Sequence, residues 1–194
     1  MKSYIESQLA GARQVVTAML ECVTILGTLE AAAQACITCL RQHGKILLAG
    51  NGGSAADAQH IAGELVSRFA FDRPGLPAIA LTTDTSILTA VGNDYGYEKL
   101  FSRQVQAHGR NGDVLIVYST SGRSPNILHA LDEARASGLI CVGFTGNQGG
   151  PMLELCDYLL EVPSSETPKI QEGHLMLGHI LCGLVENALF GAPV

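Results

Sequence analysis

The stretch Lys45-Ile46-Leu47-Leu48-Ala49-Gly50-Asn51-Gly52-Gly53-Ser54 places a short apolar run directly before a glycine-rich turn. The run over 45–49 is typical of a buried strand, and we predict that the turn over 50–53 opens a helix over 55–67. Glycines let backbone N–H groups approach an anion closely, and a helix N-terminus favours negative charge. The turn matches neither GxGxxG nor GxxxxGK(S/T). A phosphate site and a plain tight turn therefore both stay open here.

Short apolar strands and helices continue to alternate along the chain. We predict further strands over 78–81, 114–118, 140–144 and 158–162, with helices over 86–91, 98–107, 125–137, 152–156 and 170–190. Two more helices lead the chain over residues 1–43. Alternating strands and helices form a parallel sheet that helices cover on both faces. The prediction is therefore α/β: a doubly wound five-stranded parallel sheet over residues 44–194, with an N-terminal helical extension over 1–43 that packs in an oligomer.

The composition predicts a globular, cytoplasmic protein. The chain has 194 residues, of which 47% are apolar and 15% charged, and its formal net charge is −6. An acidic chain without clustered Lys and Arg argues against nucleic-acid binding. We see no signal peptide and no apolar run near the ~18 residues of a membrane helix, so we expect no membrane partner. The last predicted helix is apolar on more than one side, which with the amphipathic first helix predicts an obligate oligomer.

Six cysteines are spread along the chain. Cys36 and Cys39 form a CxxC inside an Ala-rich helical pattern, without a second CxxC or a preceding strand. We interpret them as small buried thiols rather than as a metal or redox site.

Polar residues follow the second and third strands, where open parallel sheets bind their ligands. The segment Ser119-Thr120-Ser121-Gly122-Arg123-Ser124-Pro125-Asn126 carries four hydroxyls between a strand end and a helix start. Ser124 suits an N-cap before Pro125, and the hydroxyls with the helix dipole suit a phosphate. Asn93 and Asp94 suit sugar hydroxyls, although turn propensity alone also explains such residues.

Histidines and carboxylates recur on two of the predicted helices. His60 and Glu64 are four residues apart and share a helix face, so they can bind one divalent metal or transfer protons, or lie on a solvated face. The last helix carries Gln171 and His179, and His179 stands within an apolar stretch. A buried histidine needs a partner, which a metal, a substrate or a backbone carbonyl would supply.

The chain resembles the bacterial phosphoheptose isomerase (sedoheptulose 7-phosphate isomerase) family of the sugar isomerase (SIS) domain superfamily. The matching motifs are Asn51-Gly52-Gly53-Ser54, His60…Glu64, Gly92-Asn93-Asp94, Ser119-Thr120-Ser121-Gly122 and Ile170-Gln171-Glu172…His179. The resemblance covers essentially the whole chain. It implies a flavodoxin-like SIS fold, a homotetramer with active sites near subunit interfaces, and one Zn²⁺ per active site. It also implies conversion of sedoheptulose 7-phosphate to D-glycero-D-manno-heptose 7-phosphate, the first step toward ADP-heptose and the lipopolysaccharide core.

The same resemblance assigns roles to individual positions of this chain. The implied zinc ligands are His60, Glu64, Gln171 and His179. The implied substrate contacts are Asn51, Gly52, Gly53, Ser54, Glu64, Asn93, Asp94, Ser119, Thr120, Ser121, Ser124 and Gln171. The stretch Ser164 to Pro168 matches no motif and is left without a role.

The chemistry of an aldose–ketose isomerase agrees with these roles. Moving a proton between C1 and C2 through an enediol(ate) needs a base, an acid at the oxygens and stabilisation of an oxyanion. Glu64 is the natural base and His179 the natural acid, while a metal that also binds Glu64 would position the site more than drive proton abstraction.

The spacing of Gln171 and His179 raises a question, because eight residues correspond to roughly 12 Å of helix. Three explanations would let both residues bind one ion: both side chains stretch toward it, Gln171 precedes the regular helix, or the ligands come from two subunits. A site shared between subunits is our hypothesis.

Three other functions are compatible with parts of the sequence. A non-enzymatic SIS paralogue that binds the replication initiator protein shares the turns but lacks the Glu of the His…Glu pair, and Glu64 is present here. A different SIS activity fits the chain length and the set of His60, Glu64 and His179 less well. A sugar-phosphate-sensing regulator would carry a basic DNA-binding segment, and none is seen.

Overall fold

The computed structural model describes residues 1–191 of the chain. The helices are α1 Lys2–Glu21, α2 Val23–Arg41, α3 Gly53–Val66, α4 Thr85–Asp94, α5 Ser102–His108, α6 Pro125–Ala136, α7 Met152–Leu155 and α8 Thr167–Phe190. The strands are β1 Ile46–Gly50, β2 Ala78–Ala80, β3 Val114–Tyr118, β4 Ile140–Gly146 and β5 Tyr158–Val162, and a 3₁₀ helix covers Tyr97–Lys99.

The five strands form one parallel sheet in the order β2-β1-β3-β4-β5. The α/β class, the five strands and the parallel sheet predicted from the sequence are confirmed. The direction in which the chain adds strands to the sheet reverses at β1 and β3: β2 lies on the outer side of β1, whereas β4 and β5 extend the sheet beyond β3. Ligands of open α/β sheets bind at the carboxyl ends of the strands beside such a switch point.

Alternate residues of each strand face two separate cores. Ile46 and Leu48 of β1 pack with α2, α3 and α8, whereas Leu47 and Ala49 pack with α5 and α6 on the other face. All of these strand residues are buried, because helices cover both faces of the sheet. The sheet is therefore a rigid support for the turns at its carboxyl edge.

Three of the predicted helices differ from their expected bounds in ways that have a physical explanation. The helix α4 starts at Thr85 because the carboxylate of Asp84 accepts a hydrogen bond of 3.0 Å from the N–H of Ile87. The helix predicted over 98–107 divides at Leu100 and Phe101, which are buried in the second core. The last helix begins at Thr167 rather than residue 170, with proline in its first turn, where the missing N–H has no helical acceptor to lose.

Two helices are longer and more apolar than the sequence-based prediction of no apolar run near the ~18 residues of a membrane helix. Val23–Arg41 and Thr167–Phe190 are long and apolar enough to cross a membrane by length and composition alone. About half of each apolar window is buried within the domain, against the sheet and against each other. Their hydropathy is explained by their place in the core, where an α/β domain needs apolar helices.

The cysteines are free thiols. Cys36 and Cys39 of the CxxC are buried in the first core with Cys182, and burial raises the pKa of Cys39 to about 11. Protonated buried thiols are poor metal ligands and poor nucleophiles.

Candidate active site

The turns that follow β1 and β3 are joined by a pair of side-chain amides. Asn51 donates to Asn126 Oδ1 at 2.9 Å, and Asn126 donates back to Asn51 Oδ1 at 2.8 Å. The hydroxyl of Tyr97 also donates to Asn51 Oδ1, at 3.1 Å. The glycine turn and the hydroxyl-rich turn therefore form one surface at the switch point of the sheet.

Side chains at the two ends of the glycine turn would meet neighbouring atoms. A Cβ on Gly50 would overlap the carbonyl of Ser54, and one on Gly53 would lie 2.7 Å from Gln171 Nε2. Gly52 has a φ of 56°, which favours glycine. The turn consequently opens α3 with bare backbone, as an anion-binding turn requires.

The hydroxyls of the second turn point to each other rather than to the helix that follows. Ser119 Oγ and Ser124 Oγ lie 3.2 Å apart, and Ser124 makes no side-chain cap bond to α6. The oxygen of Ser121 accepts the N–H of Arg123 at 3.3 Å. Ser124 is the N-cap residue of α6, as predicted, but its side chain does not cap the helix. Its carbonyl oxygen accepts the N–H groups of Ile127 and Leu128, at 3.0 Å each, so the Ser124 hydroxyl stays available for a ligand.

A cavity of about 290 Å³ adjoins this turn, and its lining includes residues for which no role is predicted. Thr120 and Ser121 line one side, and Ser164, Ser165 and Thr167 line another. The remaining lining residues are Arg123, Gly146, Asn147, Gln148 and Ile170. The signal that would have found them is their position: they follow β4 and β5 at the same carboxyl edge that carries the two turns.

His60, Glu64 and His179 converge within one chain. His60 Nε2 lies 3.2 Å from Glu64 Oε1 and 2.8 Å from His179 Nε2, and one donor atom from each of the three residues lies within 4.8 Å of the others. The helices α3 and α8 approach closely here, since a Cβ on Gly178 would be 2.8 Å from Ile61 Cδ1. Two imidazole nitrogens and a carboxylate oxygen are the donors that zinc prefers, so the group fits a divalent metal.

Gln171 lies apart from these three donors. It is within α8, so the explanation that it precedes regular helix is wrong, and its amide packs on Gly53 instead. The rise from Gln171 to His179 is roughly 12 Å. Within one chain the amide of Gln171 therefore lies at the glycine turn, and its role as a metal ligand stays a prediction.

The buried histidine of α8 is His174 and not His179. His174 is fully buried, with Nε2 3.2 Å from the carbonyl oxygen of Thr145, and burial lowers its pKa to about 4. His179 is half-buried beside Phe69, with ring centroids 5.7 Å apart. His174 is therefore the histidine that packs in the core and bonds a backbone carbonyl. His179 is accessible at the candidate site.

Asn93 and Asp94 are exposed at the end of α4. The amide of Asn93 donates to Asp94 Oδ1 at 2.7 Å. Ser54, the last residue of the glycine motif, is buried in the first turn of α3. These three remain predicted substrate contacts.

Comparisons with known proteins agree with this geometry. The family model described as SIS domain matches residues 12–146. A phosphoheptose isomerase of Burkholderia pseudomallei is 72% identical over 189 residues, which cover 97% of this chain and 96% of that protein. One of Aneurinibacillus thermoaerophilus is 59% identical over 98% of this chain and 96% of its own length.

Solved structures are similar over nearly the whole length. A phosphoheptose isomerase from Francisella tularensis superposes with a TM-score of 0.91 at 38% identity, over 95% of this chain and 97% of that one. One from Neisseria gonorrhoeae gives a TM-score of 0.90 at 40% identity, over 96% and 98% of the two chains.

Proposed function

This chain belongs to the phosphoheptose isomerase family of SIS-domain proteins, and we propose that it converts sedoheptulose 7-phosphate to D-glycero-D-manno-heptose 7-phosphate. The observation that carries this proposal is the convergence of Glu64, His60 and His179 on two helices that both begin at the hydroxyl-lined edge of the sheet. The turns suit the phosphate of the substrate, and the carboxylate and imidazoles suit proton transfer at its carbonyl end.

Hydroxyl groups and a helix N-terminus can bind the phosphate without a lysine. Ser119, Thr120, Ser121 and Ser124 offer hydroxyls beside the N-terminal end of α6. A dianionic phosphate at this end is also favoured by the dipole of α6. Arg123, at the mouth of the adjoining cavity, adds a positive charge.

Proton transfer falls to Glu64 and His179. Glu64 takes the proton from the carbon beside the carbonyl and returns it to the neighbouring carbon, while His179 moves the proton between the two oxygens. The side chain of Glu64 is partly exposed, at 26%, so a substrate at the site can reach its carboxylate. Every proton taken is returned, as an isomerisation requires.

The metal proposed for the site is Zn²⁺, held by His60, Glu64 and His179. Such an ion would supply Lewis-acid stabilisation of charge on the substrate oxygens. Because all three donors meet in one chain, they need no second subunit. Gln171 remains a proposed metal ligand. It also remains a proposed substrate contact, because its amide lies at Gly53 in the glycine turn.

We also propose a homotetramer. Ile5, Leu9, Val16 and Leu20 lie on one face of α1 and are exposed in the single chain, as are Met176, Ile180 and Leu184 of α8. Apolar rows of this length are typical of an interface between subunits. Met176 and Ile180 flank His179 along α8, so an interface on this face would lie beside the active site.

The pathway and compartment follow from the family. The product would be the precursor of ADP-heptose and the lipopolysaccharide core, made in the cytoplasm, with no nucleic-acid or membrane partner. Binding of the replication initiator protein, the alternative function, gains no support from the relatives described above, which are phosphoheptose isomerases.

The test is turnover of sedoheptulose 7-phosphate by the purified wild type and by Glu64→Gln, with the metal content measured on the same samples. We expect turnover in the wild type, a loss of at least about 100-fold in the variant, and folding retained in both. Glu154→Gln, which alters an exposed carboxylate on α7, is the matched control and should keep full activity. A folded, metal-loaded wild type that does not turn over the sugar would overturn the proposal.

Mixed oligomers of Glu64→Gln and His179→Gln chains test whether sites are shared. Because Glu64 and His179 meet within one chain, mixing should not restore activity. Restored activity would support the hypothesis of a site shared between subunits.

A further inference from the structure

Arg73 and Glu186 form a fully buried ion pair next to the active site. Arg73 Nε lies 3.0 Å from Glu186 Oε1, and the two side chains are 2% and 1% exposed. Burial alone would raise the pKa of Glu186, but hydrogen bonds from Phe69, Ala70 and Arg73 outweigh it and lower that pKa below its ordinary value. The pair is thus ionised and fixed in place. It joins two segments that are 113 residues apart in the sequence.

The guanidinium of Arg73 caps the end of the helix that carries Glu64. Its nitrogens donate to the carbonyl oxygens of Glu64 at 2.8 Å, Leu65 at 2.6 Å and Ser67 at 3.2 Å. The last four carbonyls of a helix lack helical donors, so they are the groups that such a cation satisfies. The backbone of Glu64 itself is therefore held by Arg73.

The carboxylate of Glu186 fixes the loop that leads away from α3. It accepts the N–H groups of Phe69 at 2.8 Å and Ala70 at 2.6 Å. The ring of Phe69 consequently lies on α8 against His179, over Gly183, where a Cβ would be 3.3 Å from Phe69 Cε1. His179, Gly183 and Glu186 follow one another at intervals of four and three along α8, so one helix face receives the loop.

We propose that Arg73 and Glu186 are positioning residues of the active site: together they hold Phe69 against His179 and fix the backbone of Glu64. This inference rests on the proposed function of Glu64 and His179. Glu64 and His179 lie on different helices, so their separation is fixed only if α3 and α8 are held together near them. The ion pair of Arg73 and Glu186 connects the C-terminal end of α3 to α8. Residues that orient metal ligands change metal affinity by 10- to 100-fold when they are altered.

The chain offers a matched control at the opposite end of the sheet. Asp113 is also buried, pairs with Lys45 and accepts two backbone N–H groups, those of Lys45 and Arg110, at 2.9 Å each. It precedes β3, whereas the active site follows the carboxyl ends of the strands. Glu186→Gln and Asp113→Asn therefore each remove a buried carboxylate charge, near the site and far from it, with side chains that are 1% and 3% exposed.

The experiment compares the full-length Glu186→Gln and Asp113→Asn proteins with the wild type in thermal unfolding, in Zn²⁺ affinity by competition with a chelator, and in kcat and KM for sedoheptulose 7-phosphate. Both substitutions should lower Tm. Only Glu186→Gln should weaken Zn²⁺ binding, by about 10-fold or more, and lower kcat by a similar factor while KM changes little. Equal Zn²⁺ affinity and equal kcat in the two folded variants would overturn the proposal.

Two milder variants cover the case in which Glu186→Gln does not fold. Arg73→Lys keeps the charge but loses the forked donors that reach Glu64 and Leu65, and Phe69→Leu keeps an apolar side chain without the ring. Both should weaken Zn²⁺ binding in the same direction, and unchanged affinity in both would contradict the proposal. A wild type that binds Zn²⁺ without isomerising the sugar would refute the proposed function, and the Zn²⁺ affinities would still decide the positioning role.

Discussion

His60 Nε2 and His179 Nε2 lie 2.8 Å apart although the two residues are 119 positions apart in the chain. At this distance one ring donates a hydrogen bond to the other, and Glu64 Oε1 lies 3.2 Å from His60 Nε2. The three atoms are of the kinds that Zn²⁺ takes as ligands, and they lie within 4.8 Å of one another.

Replacing either imidazole should abolish tight metal binding. We expect His60→Gln and His179→Gln to lower Zn²⁺ affinity by at least about 100-fold, because a three-donor site loses one of its strong ligands. Metal analysis after dialysis against a chelator measures the loss. His108→Gln, on the exposed end of α5, should keep the metal, and equal retention in all three variants would refute the site.

A methyl group at Gly53 should displace Gln171 without unfolding the chain. The new Cβ would lie 2.7 Å from Gln171 Nε2, which is the tip of a flexible side chain and can move away. We expect Gly53→Ala to raise KM by about 10-fold with little change in Tm. Gly63→Ala on the same helix meets nothing within 4 Å and should stabilise the protein by about 0.5–1 kcal/mol. Unchanged kinetics in Gly53→Ala would show that Gln171 has no part in binding.

The cavity wall after β5 should contribute to substrate binding. Ser165 and Thr167 face the cavity that Thr120 and Ser121 line, and a hydrogen bond contributes about 1 kcal/mol. The double variant Ser165→Ala/Thr167→Val should therefore raise KM by roughly 10- to 30-fold while kcat changes little. Steady-state kinetics measure both, and a KM equal to that of the wild type would exclude this wall from the substrate site.

His174 should make the protein less stable in mild acid. Burial lowers its pKa from 6.5 to about 4, with a hydrogen bond at the carbonyl of Thr145 acting in the opposite direction. Between these values the unfolded chain binds a proton that the folded chain does not, so stability falls as pH decreases from 6.5 to 4, by about 3 kcal/mol in all. His174→Gln should remove this part of the slope in chemical denaturation at several pH values. An identical slope in variant and wild type would contradict it.

The apolar face of α1 should be required for assembly. Leu9→Lys/Leu20→Lys places two charges in the row of exposed apolar side chains, where burial against a second chain would leave them unpaired. Sedimentation velocity should then show smaller species than for the wild type. Gln14→Lys changes the opposite face of α1 and should leave the assembly intact, and a variant that sediments like the wild type would contradict the tetramer interface.

The fold was predictable because its signal is local. Each strand is a short apolar run, and turns or polar segments mark where it ends, so the number of strands follows from the sequence alone. The pairing of His60 with Glu64 was predictable for the same reason, since a spacing of four places both on one helix face.

Features that depend on the packing of distant elements were not predictable. The apolar positions of α8 surround the helix, so the sequence could not tell that His174 is the buried histidine and His179 the accessible one. The wall formed by Ser165 and Thr167 depends on where β4 and β5 end relative to β3. The ion pair of Arg73 and Glu186 joins segments whose contact no spacing rule describes.

Gly178 lets α8 lie against Ile61, the immediate neighbour of His60 in α3. A Cβ at position 178 would be 2.8 Å from Ile61 Cδ1, so either the Ile61 side chain or the helices would have to shift. His179 follows Gly178 directly, so the spacing of the two imidazoles depends on a close contact between residues that offer no ligand atom.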